Sequence, residues 1–305
     1  MKLFAPDWFS DFRCIADKCS HSCCIGWEID IDPETFEKYQ KMTGEWKKRF
    51  DESIIENDET ICFRLTQEER CPFLNEQGLC DIILAHGEEA LSQICTDHPR
   101  FRSFFSDRTE IGLGMCCEEA ARLIISHEQT VRLTEISDDG FSETQDEEET
   151  AFFKWREKLF AIIQDRSLPL TERLQKLCHA CGFSWNICHP ADWMQFLLSL
   201  ERLDAEWEQI LVGMQNETQQ WEIAFEQLLF YLLYRHLPGA LEDGRYPERV
   251  AFCVLLLRVI RSLPCDSMEK LVELCRMASS EIEYSDENTE RILEKLEKTL
   301  QQQYG

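Results

Sequence analysis

The chain has 305 residues, of which 44% are apolar, and these include 19 Phe and 8 Trp. This length and composition suffice for one large or two modest domains with a hydrophobic core. The formal charge of −26 argues against nucleic acid and against anionic membrane surfaces as partners. The longest apolar run, 250–257, is far shorter than the roughly 20 residues that span a bilayer.

The first 30 residues are predicted to form an irregular loop that carries clustered cysteines. Four cysteines lie within this loop at Cys14, Cys19, Cys23 and Cys24. A helix is predicted to follow, because Asp32 stands at a capping position, Pro33 occupies the first turn and apolar residues recur at helical spacing. Gly44 is predicted to end or interrupt this helix.

Short strands and turns are predicted for the next part of the chain. Alternating or apolar segments predict strands over 61–65, 71–74 and 79–83, around a turn at 77–78, and a second β pair over 101–105 and 108–113. Residues 87–95 are predicted to be a helix whose end presents Cys95. A turn is expected at 97–100, because the residue before Pro99 avoids the helical region.

Helices are predicted for most of the remaining chain. Their predicted ranges are 118–127, 151–164, 170–181, 191–214, 218–236, 247–262, 267–282 and 286–303. The acid-rich segment 135–150 reads as a solvated linker. We therefore predict a mainly α protein that is α+β in its cysteine-rich part: a metal-stapled domain over 1–134, an acidic linker over 135–150 and an α-helical domain over 151–305.

The clustered thiols predict a metal centre more readily than disulfides. Disulfides need an oxidising compartment, and the N-terminus, interrupted by Pro6, Asp7 and Asp11, lacks the apolar stretch of a secretory signal. A cytoplasmic protein with free thiols is therefore expected. Simple packing of cysteines as small apolar residues stays an alternative, although it does not suit a Cys-x3-Cys-Cys segment flanked by polar residues.

The spacing of the cysteines favours an iron–sulfur cluster, with zinc as the alternative. Structural zinc sites use paired short spacings, whereas here one short cluster precedes the single cysteines Cys71, Cys80 and Cys95. Single thiolates gathered from separate loops are typical of four-thiolate clusters. The radical-forming Cys-x3-Cys-x2-Cys pattern is absent, because Gly26 stands where its third cysteine is required.

Four segments over about 12–125 resemble, in order, the flagellin lysine-N-methylase family (FliB). They are 12–32, which includes Cys14-x4-Cys19-x3-Cys23-Cys24-x-Gly-Trp27, then 71–80, 87–100 and 117–123. The front part is also similar to small CxxxCC proteins that chelate zinc or iron. Two departures concern possible ligands: Cys116-Cys117-Glu-Glu replaces the usual Ser-Cys-Pro-Glu, and His98-Pro-Arg replaces the common Tyr-Pro-Arg.

The resemblance implies methylation of lysine side chains on flagellin with S-adenosylmethionine as donor. It also implies a cysteine-bound iron–sulfur cluster, for which a four-iron form is favoured. The candidate metal ligands are Cys14, Cys19, Cys23, Cys24, Cys71, Cys80, Cys95 and Cys117. Neither nucleic acid nor a membrane is an expected partner. A non-catalytic zinc- or iron-binding module, or a metal-stapled interaction scaffold, is the alternative function.

Candidate catalytic residues lie close to the cysteine segments. Methyl transfer to lysine needs a neutral amine and a positioned sulfonium carbon, which acids and aromatic rings near the amine favour. Asp32, Asp97 and His98 are the catalytic candidates, and Trp27 is a candidate for cofactor binding. Structural roles compete with each assignment: Asp32 as a helix cap, Trp27 as a core residue, and Asp97 and His98 as parts of a turn.

The only approximation to a glycine-rich cofactor turn is Gly112-Leu-Gly114. It lacks the third glycine, and the helical remainder offers no alternating strands and helices, so a doubly wound cofactor fold is excluded. Gly112 and Gly114 stay cofactor-binding candidates. In the C-terminal half, Cys178, Cys181 and Cys188 have ligand-like spacing but suit packing equally well.

Overall fold

The structure is a computed structural model that describes residues 1–56, 60–141, 144 and 146–304. Its strands are β1 (Lys2–Pro6), β2 (Ile54–Glu56), β3 (Ile61–Phe63), β4 (Arg100–Phe104), β5 (Arg108–Leu113) and β6 (Leu133–Asp138). Its helices are α1 (Pro33–Lys41), α2 (Gly44–Ser53), α3 (Asp81–His86), α4 (Gln93–Asp97), α5 (Glu118–Ile125), α6 (Glu147–Ile163), α7 (Leu170–Ala180), α8 (Pro190–Leu197), α9 (Ala205–Val212), α10 (Glu222–His236), α11 (Ala240–Asp243), α12 (Tyr246–Ser262), α13 (Met268–Ala278) and α14 (Asp286–Tyr304). Helices predominate beside few strands, so the predicted fold class is confirmed.

The chain divides into two compact units that differ from the predicted domains. One unit is formed by 13–100, and the other by 1–12 together with 101–305. In the larger unit α5 packs against α10 and α13, because Ala120, Ala121 and Ile124 bury one face of α5. The predicted boundary at 135–150 therefore falls inside one unit. Within that segment lie the end of β6 and the start of α6, while residues 142, 143 and 145 lie outside the described residues.

The smaller unit has an aromatic core between α1, α2 and the β2–β3 hairpin. Tyr39 stacks on Phe50 at a centroid distance of 3.9 Å, and Phe73 lies 4.9 Å from Phe50 and 5.0 Å from Phe63. Helix α1 begins as predicted, since the Asp32 side chain accepts from the Thr35 backbone N–H and proline follows. Gly44, at a φ of +70°, stands where α2 begins.

Three local predictions in this unit are wrong. The expected strands over 71–74 and 79–83 are absent: Leu74 and Cys80 make only a single bridge, and α3 begins at Asp81. The expected helix over 87–95 is replaced by a short 3-10 turn and by α4, which places Cys95 inside a helix rather than at its end. Gly87, at a φ of +83°, ends α3. The break between the 3-10 turn and α4 lies at Leu91 and Ser92, whose backbones are extended.

The larger unit contains a four-stranded sheet in the order β4-β5-β1-β6. Strands β4 and β5 confirm the predicted second β pair. Strand β1 runs parallel to β5 and antiparallel to β6, with Lys2 opposite Asp138. The N-terminus was predicted to be irregular, and this prediction is wrong for β1, because its pairing partners lie more than a hundred residues away.

Helices α10 and α12 form the centre of the larger unit's apolar core. They pack against each other, and Leu228, Leu229 and Leu232 of α10 are fully buried. The predicted helix over 191–214 is divided into α8 and α9, because the Glu281 carboxylate accepts the N–H groups of Leu203 and Asp204 between them. No helix within the described residues is long and apolar enough to cross a bilayer.

Candidate functional site

Four thiols pack in or against the aromatic core of the smaller unit. Cys71 is buried, while Cys24, Cys80 and Cys95 pack against the same core and are partly buried. The Cys71 backbone N–H donates to the Cys24 carbonyl oxygen at 2.8 Å, which joins two sequence segments. Cys80 directly precedes α3, and Cys95 lies inside α4. Four separate segments thus supply one thiol each.

Burial, with smaller contributions from nearby thiols, raises the pKa of Cys71, Cys80 and Cys95. Burial raises the pKa of Cys71 to about 12, and the neighbouring Cys24, Cys95 and Cys80 raise this pKa further. Burial likewise raises the pKa of Cys95 to about 11, with Cys24 and Cys80 contributing. The pKa of Cys24 is lowered to about 7 by a hydrogen bond with Cys23, aided by Ser22 and Arg70. A bound cation would reverse the burial effect, because it favours thiolates.

The remaining candidate ligands lie outside this set of four. Cys23 is exposed and makes a hydrogen bond with Cys24. Cys14 is exposed, and Cys19 donates from Sγ to the His21 carbonyl oxygen at 3.2 Å. Cys117 belongs to the other unit and stands at the N-cap position of α5, near a helix N-terminus as predicted. Across the described parts of the chain, no three His, Cys, Asp or Glu side chains are close enough together to hold one metal ion.

Asp32 makes structural contacts with two helices. Its carboxylate accepts from the Thr35 N–H at 2.9 Å and from the Gln93 N–H at 2.8 Å, so it caps α1 and the first turn of α4. Burial opposes ionisation, but these hydrogen bonds outweigh it and lower the pKa of Asp32. Asp97, at the end of α4, accepts from the Gln93 Nε2 at 2.7 Å. The competing role of Asp32 as a helix cap is thus visible in the structure.

His98 and Trp27 lie side by side in the smaller unit. Their ring centroids are 6.1 Å apart, and His98 precedes Pro99 through a cis peptide bond. Burial, with a contribution from the Arg100 charge, lowers the pKa of His98 to about 4. The imidazole is therefore neutral near pH 7, which leaves a nitrogen lone pair for a proton or a metal.

Gly112 and Gly114 are glycines because side chains approach them closely. A Cβ at Gly112 would collide with the Phe101 ring, and one at Gly114 would collide with the Tyr284 hydroxyl and lie 2.9 Å from Arg235 Nη1. Gly112 therefore serves packing. Gly114 forms the turn between β5 and α5, beside a polar cluster that the sequence analysis missed.

That polar cluster consists of Tyr231, Arg235, His236, Glu283 and Tyr284 in the larger unit. Its only sequence signal is the polar residues within the otherwise apolar α10.

The second candidate set of metal ligands is formed by Cys178, Cys181 and Cys188. Cys178 and Cys188 are fully buried among apolar side chains, and Cys181 is partly buried beside them, which favours packing.

Fold and site together define a mainly helical protein with a gathered set of four thiols. The chain is 26% identical over 141 residues, 43% of its length, to "Flagellar biosynthetic protein FliU" of Salmonella muenchen, covering 80% of that protein. It is also 26% identical to proteins named "Lysine-N-methylase" from Salmonella typhimurium, over 141 residues, and Salmonella choleraesuis, over 143 residues, with 43% of this chain matched in each case. These matches span 34% of each lysine-N-methylase.

The predicted resemblance to the flagellin lysine-N-methylase family is thereby confirmed. The similarity to CxxxCC metal-chelating proteins stays a prediction. No family model matches the chain, and no solved structure matches it.

Proposed function

We propose that this protein methylates lysine side chains of flagellin, with S-adenosylmethionine as donor and a cysteine-bound iron–sulfur centre, in the cytoplasm. The observation that carries the proposal is the match to two proteins named lysine-N-methylase. Because the match spans only about a third of those proteins, their activity comes to this chain as a proposal. Their names mention lysine methylation, and the FliU match supplies the flagellar connection.

Cys24, Cys71, Cys80 and Cys95 are the proposed metal ligands. Their donor chemistry fits iron or zinc, since thiolates bind both. A single zinc ion needs four ligands at about 2.3 Å from one point, and no three candidate side chains within the described residues are close enough together for one ion. An iron–sulfur cluster gives each of four thiolates its own iron, and this form of the centre is proposed from the sequence spacing of the cysteines.

The chain's own residues have three tasks in this proposal. Four thiols would hold the cluster, which would supply iron that can accept electrons or bind a ligand. Asp97 and His98 follow Cys95 on the chain and offer a carboxylate and a neutral imidazole to take the proton of the incoming lysine. The surface charge, −26 for the whole chain, attracts a lysine-bearing protein through screened, salt-sensitive forces.

The test is mass spectrometry of flagellin after incubation with S-adenosylmethionine and anaerobically prepared protein. We expect lysines to gain the mass of one or more methyl groups. Cys95→Ser should abolish the transfer, whereas Cys62→Ser, which changes a buried cysteine outside the proposed ligand set, should retain it. Transfer that persists at the wild-type rate in Cys95→Ser would separate the thiol cluster from the activity.

A non-catalytic metal-binding module is the second candidate. This candidate is favoured by how much of each relative the chain matches: 80% of the length of FliU, but 34% of the length of the lysine-N-methylases. The discriminating measurement is equilibrium binding of S-adenosylmethionine to pure protein. Stoichiometric iron without any binding of S-adenosylmethionine would support the module and reject the methyltransferase.

A further inference from the structure

The Ser92 hydroxyl is a buried polar group in the smaller unit that lacks a normal hydrogen bond. Ser92 is 1% exposed, and its Oγ has no hydrogen-bond partner of normal geometry among the residues that the structure describes. An unpaired hydroxyl in the interior is costly, and such groups are rare in folded proteins. The presence of this hydroxyl therefore requires an explanation.

The start of α4 does not use the Ser92 side chain. Ser92 stands at the N-cap position of α4, where a serine side chain ordinarily accepts a backbone N–H of the first turn. Ser92 makes no such bond. The Asp32 carboxylate accepts the Gln93 N–H at 2.8 Å, and the Ser92 carbonyl oxygen accepts the Thr96 N–H at 3.0 Å. The role of a helix cap therefore does not account for the Ser92 hydroxyl.

Cys95 lies one helical turn after Ser92. Side chains three residues apart on a helix are neighbours on the same side. Burial raises the pKa of the Cys95 thiol to about 11, and the Ser92 hydroxyl acts in the opposite direction, because it favours the thiolate. The Ser92 hydroxyl is therefore close to the Cys95 sulfur, and a thiolate at this position would give it an acceptor.

A second hydroxyl near these thiols is already occupied. Tyr39 is 1% exposed, and burial raises its pKa, with smaller contributions from Cys95 and Cys80. Its hydroxyl donates to the Ala90 carbonyl oxygen at 2.7 Å. Because a phenolic hydroxyl has a single proton, Tyr39 cannot also donate to a sulfur. Ser92 thus supplies a buried hydroxyl beside Cys95 whose proton has no normal acceptor within the described part of the chain.

We propose that the Ser92 hydroxyl donates a hydrogen bond to the Cys95 sulfur when this sulfur is a ligand of the iron–sulfur centre. Ser92 is a positioning residue in this assignment, since it acts on the centre through Cys95. Hydrogen bonds to metal ligands orient them and adjust the electron density at the metal. The assignment rests on the cysteine-bound centre of the proposed function, and it adds a residue that the cysteine spacing does not identify.

This hydrogen bond should raise the reduction potential of the centre. Reduction adds one electron, and part of the added negative charge resides on the thiolate sulfurs. A hydroxyl donor stabilises the more negative state more strongly, which is why hydrogen bonds to sulfur help to set such potentials. Ser92→Ala should therefore lower the reduction potential, with a change of up to about tenfold in the equilibrium constant for reduction.

The test is a redox titration of the whole protein, prepared without oxygen and followed by electron paramagnetic resonance. Dithionite supplies one electron to each centre. Ser92→Ala and Ser92→Gly should both have a lower midpoint potential than the wild type, because both lack the hydroxyl. Ser92→Thr keeps the hydroxyl and should restore the wild-type value. Glycine is well tolerated at an N-cap position, so Ser92→Gly provides the test if the alanine variant fails to fold.

Ser53→Ala is the matched control. Ser53 is a buried serine of the same unit, at the end of α2, and its carbonyl oxygen accepts the Arg64 N–H. Its replacement should leave the potential unchanged. Iron and sulfide analysis verifies that each variant holds the full centre. Thermal unfolding compares the stabilities, because a merely structural serine would change the Tm without changing the potential.

Each outcome has a separate meaning. Lower potentials in Ser92→Ala and Ser92→Gly, with wild-type potentials in Ser92→Thr and Ser53→Ala, support the assignment. Wild-type potentials in both hydroxyl-free variants overturn it, while the iron–sulfur centre and the proposed methyltransferase function stand. A lowered potential in a protein that does not methylate flagellin supports the role of Ser92 and rejects the proposed reaction. Wild-type protein that holds zinc or no metal rejects the iron–sulfur centre and the role of Ser92 with it.

Discussion

Asp32 accepts a hydrogen bond from the backbone N–H of Gln93 at 2.8 Å, across 61 residues of sequence. The same carboxylate caps α1 through Thr35. One side chain therefore fixes the beginnings of α1 and α4, and α4 carries Cys95. The position of Cys95, a proposed metal ligand, therefore depends on Asp32 through the start of α4.

Replacing Asp32 by alanine should destabilise the protein and disturb the thiol cluster. Each lost cap costs about 1 kcal/mol, so two caps give a loss of about 2 kcal/mol in the free energy of unfolding. Asp32→Asn keeps one oxygen acceptor in place of two, so it should retain one cap and lose about half as much. Urea unfolding of the two variants beside the wild type measures the difference. Equal stability of Asp32→Ala and wild type would show that neither cap contributes to stability.

The division of the cysteines into two groups should be visible in metal content. Cys24→Ser, Cys71→Ser, Cys80→Ser or Cys95→Ser should each lower bound iron and the Tm together, because metal binding is coupled to folding. Cys14→Ser, in the exposed loop, should change neither. Iron and sulfide analysis with thermal unfolding, on protein prepared without oxygen, measures both quantities. Iron loss in Cys14→Ser alone would place the centre in the surface loop.

Local sequence signals predicted the elements whose causes are local. The start of α1 follows from Asp32 and Pro33, and α10 follows from its apolar residues at helical spacing. Strands β1 and β6 were missed because their stability comes from pairing with each other across the chain. The acidic, exposed sequence of β6 has no alternating apolar face that marks a strand.

The distinction between local and long-range causes also applies to the candidate sites. Cysteine spacing identified the thiols, but which four gather depends on how separate segments pack against Tyr39 and Phe73. Arg235 and Tyr284 are 49 residues apart, and each reads as an ordinary residue of its own helix or turn. Only the packing of α10 against the π-helical turn at Ser279–Glu283 brings Arg235 and Tyr284 together. No local pattern could therefore have indicated this polar cluster.

The buried ion pair of Arg156 and Glu110 should be sensitive to loss of one partner. Arg156 donates from both terminal nitrogens to Glu110, at 2.7 and 2.6 Å, and the side chains are 3% and 2% exposed. Arg156→Met leaves a buried carboxylate unpaired, which costs about 3–5 kcal/mol. Denaturant unfolding measures this loss. Adding Glu110→Met to that variant should restore part of the stability, and a larger loss in the double variant would contradict the charge argument.

Cleavage near Phe141 should not separate the chain into independent domains. Phe141 is 54% exposed and follows β6, so limited chymotrypsin treatment should cut there. The two fragments should remain together, because α5 of the first packs against α10 and α13 of the second. Size-exclusion chromatography under native conditions, followed by denaturing electrophoresis, measures this. Fragments that elute separately would restore the division at the acidic segment that the sequence predicted.

His98 should make the smaller unit's stability depend on acid. Its folded pKa is about 4 because of burial, whereas an unfolded histidine titrates near about 6.5. Between these values the unfolded state binds a proton that the folded state does not, so stability falls as the pH drops from about 6.5 to 4. The loss reaches about 3 kcal/mol at most. Urea unfolding at several pH values should show a weaker dependence for His98→Gln, whereas His21→Gln, which changes an exposed histidine, should follow the wild type. If the stability of His98→Gln depended on pH as steeply as that of the wild type, the acid sensitivity would come from other groups.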